Sequence, residues 1–159
     1  MADTDVHRSD INVQQCLYVA ENARALREAA GITQAHLSRD TWISYNVISR
    51  CETKTATPSV STLVRFIDAF RSHGAEIPAF EDSASLEDIL KFIPALGKDM
   101  SLGKRIGLSR KTLENWRYSA NVVPSIKCLA SLEEAAHKAG VKIQHVVSDS
   151  SVSLVINED

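Results

Sequence analysis

The sequence predicts an all-α chain built from two similar helical units in tandem, and three observations carry that prediction. The stretch from Thr33 to Ser59, TQAHLSRDTWISYNVISRCETKTATPS, reads as two short helices joined by a tight turn, then a loop and a proline that opens a further helix. A looser copy, LGKRIGLSRKTLENWRYSANVVPS, returns from Leu102 to Ser125. Around both stretches, apolar residues recur at three- and four-residue steps, the period of an amphipathic helix.

Val13, Cys16, Leu17, Ala20, Ala23, Leu26 and Ala30 form one such stripe, predicting a helix from Val13 to Ala30, capped by Asn12 and ended by Gly31. Thr33 caps a second helix to about Asp40, and Ser44 caps a third. Ser59, after Pro58, caps a fourth to about Ser72, with Val60, Leu63, Val64, Ile67 and Phe70 as its buried face. From His73 to about Ala84 the composition turns to Gly, Pro, Glu and Ser, as in a linker. The run Ser85-Leu-Glu-Asp88 resembles a capping box opening a helix through Leu96, where Pro94 is expected to end or bend it. Short helices over 99–106 and 109–118 follow, then a longer one from Ser125 to Lys138 stopped by Gly140. The tail alternates in VKIQHVV and VSLVI, a pattern that fits a short C-terminal β-hairpin and a frayed tail equally well. The organisation is thus a first unit at 1–75, an acidic linker at 76–84, a second unit at 85–140 and a tail at 141–159.

The repeat holds position by position. Leu37, Ile43, Ser44 and Ile48 recur 65 residues on as Leu102, Leu108, Ser109 and Leu113. Pro58-Ser59 and Leu63 recur 66 residues on as Pro124-Ser125 and Leu129.

Apolar residues make up 44% of the chain and charged residues 24%, as in soluble globular proteins. No apolar run reaches the span of a bilayer, and the polar, acidic MADTDVHRSD does not read as a signal peptide, so a cytoplasmic location is expected. Cys16, Cys51 and Cys128 are widely separated and read as reduced, buried thiols rather than a metal or disulfide framework. The net charge of −2 is unlike that of a strongly basic nucleic-acid binder. Its distribution is uneven, however: residues 76–90 carry five acids and no base, while 91–140 hold nine bases against four acids. The local field, not the total, is what phosphate meets.

Chemistry of other kinds finds no purchase. The chain has no GxxxxGK, GxGxxG, HExxH or GxSxG motif. His7, His36, His73, His137 and His145 are scattered, and His137 and His145 read as surface or tail residues. No enzyme, cofactor or metal is expected.

Leu26-Arg27, Gly31-Ile-Thr-Gln34, Leu37, Ile43-Ser44, Ile48-Ser49-Arg50, Glu52 and Pro58-Ser59 run without insertion, and over about residues 22–72 the chain resembles the XRE, or lambda-repressor-like, helix-turn-helix family. With its repeat, the chain reads as two tandem lambda-repressor-like helix-turn-helix domains. The residues support this independently. Leu37, Ile43, Val47, Ile48 and Cys51 are expected to point inward, leaving Tyr45, Asn46, Ser49 and Arg50 on the outer face that a major-groove reader needs. Asn46 is suited to adenine and Arg50 to guanine. Ser44 and Lys54 flank this helix and complete the first DNA-facing set. The resemblance implies that Gln34 clamps a phosphate or supports a base contact, and Glu52 reads as a structural tie. Trp42 stands where the family usually has glycine. A bulky residue at positive φ is costly, so either the turn takes another geometry or Trp42 packs against a neighbour.

The second unit is similar to a more divergent Cro-like or repressor-like motif and keeps a turn glycine, Gly107, before Leu108 and the cap Ser109. Arg110, Lys111, Thr112, Glu114, Asn115 and Arg117 are expected outside, with Leu113 and Trp116 inside and Lys104 and Arg105 just before the turn. Six bases against two acids between Lys98 and Arg117 make it the stronger electrostatic footprint, although a basic solvated face in a dimerisation domain fits the same residues. Glu114 can accept from cytosine or form a surface ion pair.

The expected function is a sequence-specific regulator of transcription that binds a double-stranded DNA operator, a repressor of phage or mobile-element type acting as a homodimer. Two units on one chain suit successive major grooves about 34 Å apart, a distance that some ten extended linker residues span at about 35 Å. Two rivals remain. One is a degenerate tandem module that captures a protein partner as an antiactivator or antitoxin. The other is an accessory DNA-bending factor for recombination.

Overall fold

The computed structural model describes residues 10–118 and 124–148, and every regular element among them is helical. In chain order these are α1 (Val13–Ala29), α2 (Gln34–Thr41), α3 (Tyr45–Glu52), α4 (Val60–Ser72), α5 (Leu86–Lys98), α6 (Met100–Ile106), α7 (Arg110–Tyr118) and α8 (Ile126–Lys138). A last helical stretch, α9, covers 143–148.

The caps form as the local chemistry requires. Asn12 Oδ1 accepts from the Gln15 amide at 2.9 Å, and Gln15 Oε1 accepts from the Asn12 amide at 3.1 Å, a reciprocal capping box. The hydroxyls of Thr33, Ser44, Ser59, Ser85 and Ser125 each accept from the backbone amide three residues on. α1 breaks stride at Asn22 (φ −124°, ψ 23°), whose side-chain amide donates to the Tyr18 carbonyl at 2.9 Å. α5 runs through Pro94 to Lys98 instead of stopping there. Burial of Phe92, Ile93 and Leu96 on the same helix outweighs the one hydrogen bond a proline forgoes.

α1 packs on α4 and α8, while α5 packs on α7. The predicted face of α4 is buried, joined by Phe66 and Ala69. Each fully buried side chain there contributes roughly 1.5–3 kcal/mol. One apolar cluster extends from Ile11 through Leu37, Ile48 and Phe66 to Leu96, Leu113, Leu129 and Val147, so both halves of the chain share a core.

The acidic linker is fastened rather than extended. Asn12 Nδ2 donates to the Ala79 and Phe80 carbonyls at 2.7 and 3.0 Å, and Gln15 Nε2 donates to the Pro78 carbonyl at 3.0 Å. Val13 and Leu86 exchange backbone bonds with Ala84 and Ile11 at 3.0 and 2.8 Å. On α8, Glu133 accepts from the Ser83 hydroxyl and the Ala84 amide. In this conformation the segment is no free spacer.

Two further expectations are corrected. VKIQHVV holds no strand: residues 143–148 are helical and bury Ile143 and Val147 against the core. VSLVI, the other half of the expected hairpin, lies outside the described residues. Cys16 and Cys51 are buried as expected, but Cys128 is exposed.

Candidate nucleic-acid interface

α2 ends at Trp42, which takes φ 58° and ψ 29° and donates its amide to the Ser38 carbonyl at 3.0 Å. The Ser38 hydroxyl donates to the Ile43 carbonyl at 2.6 Å, and Arg65 Nη1 donates to the Thr41 carbonyl at 3.3 Å, so the turn is tied on both sides. Thr41 and Ile43 are buried. Between these two buried residues Trp42 carries the left-handed turn, at about 1–2 kcal/mol for a residue with a Cβ. Trp42 therefore fulfils neither alternative posed by the sequence. The turn keeps its left-handed geometry, and the indole, 90% exposed, packs on nothing that covers it.

α3 is braced from behind. Arg27 donates through Nε and Nη2 to Glu52 at 2.6 and 3.1 Å, and through Nη1 to the Ile32 carbonyl at 2.9 Å. Gln34 Nε2 donates to Glu52 Oε1 at 2.9 Å. The Glu52 side chain is 3% exposed and that of Arg27 13%. The hydrogen bond to Glu52 raises the Arg27 pKa further above its ordinary value. Glu52 is thus the tie expected of it, joining α1, the start of α2 and the end of α3.

With Ile48 and Cys51 buried below, α3 presents Tyr45, Asn46 and Arg50 to solvent and Ser49 at its half-buried edge. Ser44 serves as the N-cap, its Oγ 3.3 Å from the Val47 amide. Lys54 follows the helix, exposed at φ 62°. Val47 was expected inside but is 39% exposed, because on a helix of eight residues only Ile48 and Cys51 reach the core. The exposed Trp42, Tyr45 and Val47 lie at the turn and the first turn of α3. The sequence signal here was Trp42 itself, a bulky residue at the turn position where the family usually has glycine. Gln34, whose amide is engaged with Glu52, points into the motif's brace.

In the second half, α6 ends at Gly107 (φ 100°), where glycine bears the left-handed turn without strain. Ser109 accepts from the Thr112 amide at 3.2 Å and opens α7. Leu113 and Trp116 are buried and Lys104, Arg110, Lys111 and Asn115 are exposed. Arg110 Nε pairs with Glu114 at 2.9 Å, the ion-pair alternative for Glu114. Arg105 borders a hollow over α8 with Ser131, Glu134 and Lys138. The Arg117 side chain is outside the described set.

Two short helices at a tight turn, the second braced from behind and polar on its outer face, define a helix-turn-helix. Residues 19–80 match the model of a family described as a helix-turn-helix domain, so this part of the chain is similar to that family. Comparison with curated proteins and with solved structures returned no match. Among the described residues, no helix is long and apolar enough to cross a membrane.

Proposed function

We propose that the protein is a sequence-specific, double-stranded-DNA-binding transcriptional regulator, a repressor of phage or mobile-element type that acts as a homodimer in the bacterial cytoplasm. The observation that carries this reading is the solvent-facing set Tyr45, Asn46, Ser49 and Arg50 on a helix fixed by the buried Arg27–Glu52–Gln34 tie. Arginine donates twice to guanine, and asparagine donates to and accepts from adenine, so the exposed Arg50 and Asn46 suit these base edges, while the exposed Ser44 and Lys54 beside the helix suit phosphate contacts. We further infer a second, unequal reader. Its support is the equivalent left-handed turn at Gly107, the Ser109 cap, α8 matching α4 at 13 residues, and the exposed Lys104, Arg110, Lys111 and Asn115. Arg105 and Arg117 add charge to that half of the chain.

Capture of fragmented genomic DNA by the purified protein tests the proposal. Enrichment of one short recurring sequence is the expected result; uniform recovery at all salt concentrations opposes it. A second reading has one observation in its favour: an indole 90% exposed in a strained turn suits a protein partner. On that reading Trp42→Ala abolishes copurification of the partner, and DNA enrichment is absent.

A further inference from the structure

We propose that His36, Asp40 and His73 form a binding site for a divalent transition-metal ion of the zinc type, tying α2 to the end of α4. His36 and Asp40 stand four apart on α2 and so share one face of it, while His73 is the C-cap of α4. Folding brings His73 within 3.0 Å of Asp40 Oδ2 through its Nε2, and His36 Nε2 lies 3.4 Å from the same oxygen. One donor atom from each residue lies within 4.8 Å of the other two. Donors held at about 2.0–2.2 Å by a tetrahedral zinc stand about 3.3–3.6 Å apart, close to the two spacings already present. The imidazoles meet edge to face (centroids 5.1 Å apart, 81° between planes), and the Nε2 atom of each faces the same Asp40 oxygen. A tether between α2 and α4 needs only one histidine; the convergence of a second on the same oxygen points to an ion. The side chains are 29–37% exposed, which leaves an entry route and a fourth position for water. Two imidazoles and one carboxylate, with no thiolate, favour zinc, cobalt or nickel over calcium and magnesium.

The test uses the full chain, stripped with chelator and titrated with zinc chloride at pH 7.5 in a calorimeter. Wild type is expected to bind one ion at this site, and zinc at a hundredfold excess over Kd is expected to raise Tm by about 5–10 °C. Asp40→Asn retains a hydrogen-bond acceptor for the histidines but is a poor ligand, so the metal-free Tm should hold while that equivalent of zinc and the Tm rise disappear. Cys128→Ser and His145→Ala should keep both. With cobalt, the visible absorption of a tetrahedral site is expected in wild type and absent in His73→Ala. No zinc binding by wild type, or binding unchanged in Asp40→Asn and His73→Ala, overturns the proposal and leaves the cluster a hydrogen-bonded tether.

Discussion

Glu52→Ala removes the acceptor at which α1, α2 and α3 meet. Its carboxylate takes two hydrogen bonds from Arg27 and one from Gln34, in a place where its side chain is 3% exposed. Without it, the Arg27 guanidinium, 13% exposed, keeps only the Ile32 carbonyl among the partners of its fork. Breaking a buried pair from one side costs about 3–5 kcal/mol because the surviving charge is left uncompensated. Against a typical total of roughly 5–15 kcal/mol, that is a large share. At about 2–4 °C per kcal/mol for a chain of this size, the expected fall in Tm is roughly 6–20 °C. Thermal unfolding followed by far-UV circular dichroism measures that fall, urea unfolding measures the free-energy cost, and a double-mutant cycle with Arg27→Met isolates the pair. The double variant is expected to recover much of the loss, since removing both charges removes the stranded one. A cost under about 1 kcal/mol, the worth of a solvated surface pair, would show that Glu52 does not hold the motif together.

Trp42→Gly relieves a left-handed cost of about 1–2 kcal/mol and gives back roughly 0.5–1 kcal/mol through unfolded-state entropy. Tm is therefore expected to stay level or rise by a few degrees, and a loss beyond about 1 kcal/mol would mean that the indole packs. Gly103→Ala places a Cβ against both Cδ atoms of the fully buried Leu113, where α6 and α7 pack most closely. The expected cost is about 1–3 kcal/mol by chemical denaturation, less whatever alanine returns in helix propensity; neutrality would mean that Leu113 has room to move. A thiol reagent at pH 8 is expected to label Cys128 quickly, and Cys16 and Cys51 only on unfolding. Burial pushes the Cys16 thiol up from 9.0 to about 12. Because the folded value is the raised one, its stabilising share is fully present below pH 9 and is lost as pH climbs toward about 12. Fast labelling of two or three thiols would contradict this burial pattern.

The first motif was legible because its signals are local. A Ser44 hydroxyl reaching the Val47 amide, or Asn12 trading bonds with Gln15, is decided within one turn of chain. The inward apolar positions of α4 and α7 followed from helical period. What escaped was decided elsewhere. In VKIQHVV, Ile143 and Val147 satisfy an alternating strand and a four-residue helical step alike, and the core that receives them decides between the two. The linker read as free because its partners Asn12, Gln15 and Glu133 lie about fifty to seventy residues away. Trp42 is exposed between two buried neighbours, Thr41 and Ile43, a pattern set by how the turn sits on the rest of the fold. His73 meets Asp40 across 33 residues, a meeting no local spacing announces. At the candidate interface, the face carrying Tyr45, Asn46 and Arg50 could be read from the sequence, whereas the engagement of Gln34 with Glu52 could not.

The affinity of Arg50→Ala for the recovered DNA site, compared with wild type by gel shift at one fixed salt concentration, bears most directly on DNA reading by α3. A bidentate arginine–guanine contact is worth about 1–3 kcal/mol, so the variant is expected to bind that site roughly 5- to 150-fold more weakly, while its binding to unrelated DNA changes far less. Equal affinity of Arg50→Ala and wild type for the recovered site would contradict the assignment of α3 as the reading helix.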